Sequence, residues 1–246
     1  MAGKQIERVS EKIDASQVID ELGNFNSFTE KEIFDIPSVL ENVFSGRIDF
    51  EKKQINNETL DALGDLDIKR ICIVSSGSSY YAGDMGCYFF RKFAGIPCQA
   101  IISSEFLSDV FLPDDTTLYV FLSQSGETAD TLAAIRMAKE KGATIIGICN
   151  VVGSSIARET HAGSYTHAGP EIGVASTKAF TAQVAVLTLM ALRLAKMKGT
   201  IERSRFHHLL YELGEIPQKV EQILLENDRI KEIAKKFVEA RNFLYL

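Results

Sequence analysis

The chain has 246 residues, of which 46% are hydrophobic and 24% charged, an ordinary composition for a folded protein with a sizeable core. Its formal net charge of −6 argues against nucleic acid or an anionic membrane as the main partner, because both reward clustered lysine and arginine. The first residues are polar, and no apolar segment approaches the roughly 18 to 20 residues of a membrane helix. We therefore expect a cytoplasmic protein that spans no membrane.

The cysteines and histidines give no sign of a metal centre. The four cysteines are widely spaced, and no Cys-x-x-Cys pair occurs. Cys72 and Cys149 lie in apolar runs, where a reduced cysteine behaves as a small hydrophobe. The pair His207-His208 has no acidic or thiol partner at ligand spacing, which favours a solvated face. We predict no metal and no cofactor.

The first 67 residues predict two segments ahead of the main domain. Residues 1–27 lack sustained periodicity, apart from one short alternating strand in KQIERVSEKI, and are interpreted as a linker. Residues 28–67 predict lead-in helices. Pro37 is well placed at the start of the second helix, Gly46 would end it, and Asn57 would cap a third helix.

The main domain is predicted over residues 68–200. Apolar β-branched runs alternate with segments of helical periodicity, each pair separated by glycine or serine. Strands that are apolar throughout belong in a parallel sheet covered on both faces. The pattern predicts a doubly wound α/β sandwich around a mainly parallel sheet of about five strands. The strand-like runs in chain order are ICIVSS, CQAIIS, TTLYVFLSQ, ATIIGICNV and a weaker one around Gly163 to His167.

Residues 201–246 predict two long helices followed by the start of a further element. The last four residues, Phe243 to Leu246, resemble the opening of a strand. An apolar strand start with nothing after it favours a chain cut out of a longer protein.

Hydroxyl side chains are concentrated where the predicted strands end. The three places are Ser75 to Ser79, Ser123 to Thr128 and Gly153 to Ser155. In open α/β sheets ligands bind at the carboxyl ends of strands, where helix N-termini attract anions. Ordinary helix capping is the alternative, because serine and threonine are preferred N-caps. Two hydroxyl-rich loops after separate strands favour a small phosphate ligand. Nucleotide motifs such as GxGxxG or a P-loop are absent.

A second informative stretch covers residues 168–183, AGPEIGVASTKAFTAQ. It combines a glycine-bounded loop with Glu171, Ser176 and Lys178, and it leads into a long apolar helix. The loop could wrap over the sugar end of a phosphosugar. Alternatively, Ser176 is an N-cap and Lys178 a solvated lysine of the first turn.

These motifs, in this order, resemble a known family. SGSSYYAG, AGIPCQAIISSEF, LSQSGETADTL, ICNVVGSS and EIGVASTKAFTAQ are similar to the first sugar-isomerase (SIS) domain of the glutamine–fructose-6-phosphate aminotransferases. The similarity runs from about residue 28 to the end, and KQIERVSEKID resembles the end of the preceding glutaminase domain. It implies a flavodoxin-like SIS fold.

The resemblance also implies the binding residues. Ser78 and Ser79 in the first loop, and Ser123, Gln124, Ser125 and Thr128 in the second, would bind the phosphate of fructose 6-phosphate or glucosamine 6-phosphate. Val174 and Ser176 would lie against the sugar. The sequence departs from the family where Ser76-Gly77-Ser78-Ser79 replaces Cys-Gly-Thr-Ser. It departs again where His167 and Pro170 replace Asn and Thr.

By the same resemblance, catalysis needs parts outside this chain. The family's glutaminase domain supplies ammonia, and its second SIS domain supplies the catalytic groups. We therefore expect phosphosugar binding without turnover, with those domains and a second copy of the chain as partners.

Two alternatives remain open. One is a freestanding SIS domain that senses a phosphosugar, although neither terminus offers an effector segment. The other is a self-contained aldose–ketose isomerase. It would use Glu105, Glu127 or Glu171 as base, with His161 or His167 assisting, although Glu127 is better explained as a dipole-favoured residue of the first helical turn.

Overall fold

The computed structural model describes residues 21–64 and 66–244. Within these residues, three helices and a two-stranded hairpin precede a βα-alternating domain, and two helices follow it. The elements are α1 (Phe28–Phe34), α2 (Ile36–Phe44), β1 (Ile48–Asp49), β2 (Gln54–Ile55), α3 (Glu58–Asp61), β3 (Arg70–Ser75), α4 (Ser78–Phe89), β4 (Cys98–Ile102), α5 (Ser103–Ser108), β5 (Thr117–Ser123), α6 (Ala129–Glu140), β6 (Thr144–Cys149), α7 (Ser155–Glu159), β7 (Ala162–Tyr165), α8 (Lys178–Lys198), α9 (Arg203–Leu224) and α10 (Asn227–Lys235).

The predicted doubly wound α/β sandwich is confirmed. Strands β3 to β7 form a five-stranded sheet in the order β4-β3-β5-β6-β7, and every pair is parallel. All seven residues of β5 are buried, as expected for a central strand covered on both faces. One layer, containing α2, α4 and α8, packs on the face that carries Ile71 and Ile73; the other, with α5 and α6, packs on the face of Cys72 and Val74.

The lead-in helices begin and end where local signals place them. Pro37 lies in the first turn of α2, where its missing N–H costs nothing. The Asn57 side chain accepts a hydrogen bond from the Leu60 amide at 2.9 Å and caps α3. After α4 the chain makes one π-helical turn, Phe90–Ala94, and Gly95 ends it in the left-handed conformation at φ 64°, which glycine adopts readily at helix C-termini.

Helix α8 contradicts one prediction made from the sequence. It is long and apolar enough to cross a membrane, with a mean hydropathy of 1.3, but 67% of that window is buried within the fold. Its residues pack against α4 and α2. The expectation that no segment approaches this length was therefore wrong, and the burial of α8 is that of a core helix.

Several predictions fall at or beyond the edges of the described residues. The alternating strand in KQIERVSEKI lies outside them, as do Tyr245 and Leu246. Phe243 and Leu244 are described and form no strand.

The hairpin β1–β2, with Ile48 opposite Ile55, was not predicted. The domain boundaries at residues 27, 67 and 200 stay predictions.

Candidate functional site

The hydroxyl-rich loops lie at a topological switch point of the sheet. Strand β3 is connected to β4 on one side, while β5 lies against β3 on the other side. In doubly wound sheets with this strand order, ligands bind in the crevice between those two strands, beyond their carboxyl ends. Ser78 and Ser79 are the first two residues of α4, directly after the turn that follows β3, and Ser123 to Thr128 run from the last residue of β5 to the N-cap of α6. The fold therefore brings together the two loops predicted to bind phosphate.

The first loop turns sharply from β3 into α4 at Gly77, whose φ of 59° and ψ of −137° suit only glycine. Ser79 is 6% exposed, and its Oγ accepts a hydrogen bond from Nε2 of Gln183 at 3.0 Å. The Ser79 hydroxyl hydrogen thus stays available to a ligand. Ser78, one position earlier, is exposed.

Two further hydroxyls in this loop have no partner. Oγ of Ser75 and Oγ of Ser76 are buried, and neither has a hydrogen-bond partner among residues 21–64 and 66–244. Ser75 is 0% exposed. A buried hydroxyl without a partner is unfavourable by about 1–3 kcal/mol, so each calls for an explanation. Because neither oxygen is reachable from solvent, they are not counted among the atoms that face a ligand.

The second loop is organised by its own hydroxyls. Oγ of Ser123 accepts a hydrogen bond from the Gly126 amide at 3.0 Å and lies 2.8 Å from Oγ1 of Thr128. Oγ of Ser125 accepts from the Glu127 amide at 3.2 Å. The carbonyl of Gln124 accepts from the Asn150 amide at 3.0 Å, which joins this loop to the end of β6.

The N-termini of the helices at these loops bear on the alternative that the serines and threonines only cap helices. Gly77 and Thr128 are the N-cap residues of α4 and α6, and neither helix has a side-chain hydrogen bond at its cap. Among the described helices only α1 and α3 have such a cap, at Ser27 and Asn57, so an uncapped N-terminus is common in this chain and does not by itself mark a site. What distinguishes α4 and α6 is that both N-termini lie at the switch point, where an anion can approach their first-turn N–H groups.

The third hydroxyl-rich loop supports the second one. Oγ of Ser154 lies 3.3 Å from Sγ of Cys149. The Ile156 amide donates to the Gly126 carbonyl at 3.1 Å, and the Ser155 amide donates to Oε1 of Glu127 at 2.6 Å. These hydrogen bonds from the segment after Gly153 therefore stabilise the conformation of the Ser123–Thr128 loop.

Glu127 was wrongly interpreted as a first-turn residue of α6. The helix begins at Ala129, and the Glu127 carboxylate accepts hydrogen bonds from α7 instead. Backbone and side-chain hydrogen bonds from Ser155 hold the pKa of Glu127 below its usual value. A catalytic base works best with a pKa near the operating pH, so this carboxylate is poorly suited to abstract a proton from a sugar.

The loop between β7 and α8 is tied down by carboxylates. Glu171 accepts hydrogen bonds from the amides of Thr177 and Ala179 at 2.9 and 3.1 Å and from Oγ of Ser176 at 3.0 Å. Ser176 is therefore not the N-cap, which is Thr177. Val174 lies fully exposed at the tip.

Lys178, the first residue of α8, is not the solvated lysine that the capping alternative assumed. It is 3% exposed, and its Nζ lies 3.0 Å from Oδ2 of Asp35, which also contacts Lys31. Burial raises the pKa of Asp35, but hydrogen bonds from Lys178 and Lys31 outweigh it, and the pKa lies below its ordinary value.

The remaining candidates for an isomerase do not converge. Glu105 lies exposed on α5, and Nδ1 of His161 accepts from the Ile145 amide. His167 has a φ of 52°, and burial together with Arg47 lowers its pKa. Among the described residues, no group of three or more His, Cys, Asp or Glu side chains could hold a metal.

A polar cavity of about 350 Å³ was not predicted from the sequence. It lies between the β1–β2 hairpin, α3 and β7, and none of the predicted phosphate-binding residues line it. Arg47 lies in its wall and donates to the carbonyls of Val43 and Tyr165.

Comparisons with known proteins agree with this fold. A sequence profile described as the SIS domain matches residues 66–193. The chain is 49% identical to a glutamine–fructose-6-phosphate aminotransferase of Chlorobaculum tepidum, covering 99% of this chain and 40% of that protein. The one from Bacteroides thetaiotaomicron is 47% identical, with 92% and 37% covered. The chain thus spans about 40% of the length of these relatives.

A solved structure gives the same answer. The C-terminal domain of glucosamine-fructose-6-phosphate aminotransferase from Francisella tularensis superposes with a TM-score of 0.81 at 35% identity, covering 87% of this chain and 60% of that one. Because the profile covers more than half of the residues and the superposition covers the same fold, the chain belongs to the SIS domain family.

Proposed function

We propose that this chain is the phosphosugar-binding module of a glutamine–fructose-6-phosphate aminotransferase and that it binds fructose 6-phosphate or glucosamine 6-phosphate. The relatives that carry this name match nearly the whole chain. The observation that carries the proposal is that the N-termini of α4 and α6 lie together at the switch point of the sheet, beside the hydroxyls of the Ser123–Thr128 loop.

In this proposal neutral donors hold the phosphate. The hydroxyls of Ser78, Ser79, Ser123, Ser125 and Thr128, the Gln124 amide and the first-turn N–H groups of α4 and α6 converge on it. A hydrogen bond to a charged group contributes about 1.5–3 kcal/mol, so a few of them suffice without a lysine or arginine. Val174 and Ser176 contact the sugar.

The proposed module binds without turning over its substrate. Glu127 and Glu171 are each occupied by amide donors, and Glu105 is exposed on α5. The groups that move protons between C1 and C2 would come from a second SIS domain, and ammonia from a glutaminase domain. These partners, and a cytoplasmic location, are part of the proposal.

We also propose that the module forms a homodimer. Tyr81, Met85 and Tyr88 recur at helical spacing on α4 and are 66%, 44% and 50% exposed, which gives an apolar face of the kind found in dimer interfaces. Light scattering at micromolar concentration should give twice the chain mass, and Tyr88→Glu should reduce it to one chain.

Calorimetric titration tests the binding site. Fructose 6-phosphate should bind the chain, and Ser123→Ala and Thr128→Val should each weaken binding about ten- to hundredfold, from the loss of one hydrogen bond to a charged group. Ser204→Ala, an exposed serine on α9, is the matched control and should change nothing. Absence of binding at millimolar sugar phosphate would overturn the proposal, and conversion of fructose 6-phosphate to glucose 6-phosphate by this chain would contradict binding without turnover.

A further inference from the structure

The loop that carries Val174 is fixed to the lead-in helix α1 by one buried carboxylate. Oε1 of Glu32 accepts hydrogen bonds from the amides of Ile172 and Gly173 at 2.5 and 3.0 Å, and Oε2 lies 3.2 Å from the Gly173 amide. Glu32 is 0% exposed. Burying a carboxylate is unfavourable unless hydrogen bonds compensate for it, so the contact holds two consecutive amides of the loop in one place.

The loop has a glycine where it meets Glu32. A Cβ added to Gly173 would lie 2.6 Å from Oε2 of Glu32, 2.8 Å from Oγ1 of Thr29 and 3.3 Å from Cα of Thr29. The backbone of Gly173 does not have a positive φ, so its conformation is open to any residue. The absence of a side chain therefore serves close approach to α1.

A second anchor lies three residues further along the lead-in segment. Asp35, which follows α1, pairs with Lys178 at the start of α8. The two carboxylates thus hold the loop on both sides of its exposed tip: Glu32 before Val174 and Asp35 after Ser176. Glu171 accepts hydrogen bonds from the amides of Thr177 and Ala179 and so fixes the turn that leads into α8.

We propose that Glu32 is a positioning residue for sugar recognition: it sets the place of the 172–176 loop and thereby of Val174 and Ser176, while the Ser123–Thr128 phosphate loop is organised independently of it. This inference rests on the proposed function. It follows from the separation of the two systems, because the Ser123–Thr128 loop is held by its own hydroxyls and by the loop after β6.

The test compares two ligands that share a phosphate. Affinities for glucosamine 6-phosphate and for inorganic phosphate are measured by calorimetry for the wild-type chain and for Glu32→Met, which keeps the side-chain volume and removes both acceptors. Gly173→Ala disturbs the same contact from the loop side and serves where Glu32→Met does not fold. Glu41→Met, at an exposed position on α2, is the matched control, and Glu32→Gln retains one acceptor.

The positioning role predicts a selective loss. Affinity for the sugar phosphate should fall about tenfold or more in Glu32→Met and Gly173→Ala, because a small misplacement of contacting groups is enough. Affinity for inorganic phosphate should stay within about twofold, and Glu32→Gln should recover part of the loss. Equal loss of both ligands, or no loss of either, would overturn the inference. A wild-type chain that binds neither ligand would overturn the proposed function together with it.

Discussion

Gly126 is the residue of the Ser123–Thr128 loop at which an added side chain would be least tolerated. Its φ is 67°, and a Cβ there would lie 2.1 Å from Oγ and 2.5 Å from Cβ of Ser154. Gly142, at the end of α6, also has a positive φ, 78°, but a Cβ would meet nothing within 4 Å. The two glycines share a backbone conformation and differ in their surroundings, so they form a matched pair.

The expected cost of alanine at each position can be estimated. A left-handed conformation costs a non-glycine residue about 1–2 kcal/mol, and the smaller entropy of the unfolded chain offsets about 0.4–1 kcal/mol of this. Gly142→Ala should therefore lower the free energy of unfolding by roughly 1 kcal/mol or less. Gly126→Ala adds overpacking against Ser154, about 1–3 kcal/mol, for a total of roughly 1–4 kcal/mol.

Urea unfolding followed by circular dichroism measures both variants. The double variant Gly126→Ala with Ser154→Gly removes the clashing side chain and should show a coupling of about 1–3 kcal/mol in the cycle. Fructose 6-phosphate binding should also weaken in Gly126→Ala, because the Gly126 amide donates to Ser123. If the two alanine variants differ by less than about 0.5 kcal/mol, the packing argument is refuted.

Three other predictions concern single contacts. The pKa of Asp35 is lower in the folded chain, so its ionised form contributes stability that is complete above about pH 4 and is lost as the pH falls through the folded value. Asp35→Asn should flatten urea unfolding free energies over that range, and an unchanged pH dependence would contradict this. The exposed pair of Arg136 and Glu159, bonded at 2.7 and 2.9 Å, should contribute less than about 1 kcal/mol in a double-mutant cycle; a clearly larger coupling would show that screening has been overestimated. Gln183→Leu removes a donor to the first loop and should weaken sugar-phosphate binding in calorimetry; unchanged affinity would show that the Ser79 rotamer is held by other contacts.

The sheet could be predicted because its strands are encoded locally. The three central strands β3, β5 and β6 are almost completely buried runs of largely apolar residues, and burial on both faces removes the ambiguity of an alternating pattern. The edge strands β4 and β7 are only partly buried. Helix boundaries were equally local at Pro37, Asn57 and Gly95. The β1–β2 hairpin could not be predicted, because two residues per strand carry no periodicity, and its pairing depends on residues brought together by the rest of the fold.

The location of the candidate site could be predicted, whereas its supporting contacts could not. Serine and glycine after two apolar runs were enough to place the loops at one edge of the sheet. Whether a serine caps a helix or faces a ligand depends on its rotamer, which the sequence does not encode. The partners of Glu32 and Lys178 lie about 140 residues away in the chain, so no local pattern could have shown that these charges are buried.

The acidic residues near the candidate site explain how a chain with a net charge of −6 could accept a phosphate there. Glu32, Glu127 and Glu171 each accept backbone N–H groups of a loop, at distances between 2.5 and 3.2 Å. Their carboxylates thus accept from loop amides, while the serine and threonine hydroxyls and the N-termini of α4 and α6 remain for the phosphate in the proposed site. Like charges repel a phosphate strongly at short range, and the dipoles of the amides that these carboxylates accept weaken that repulsion. This arrangement also accounts for the absence of a lysine in the two serine loops: a cation there would pair with these carboxylates and draw them away from the amides that they hold.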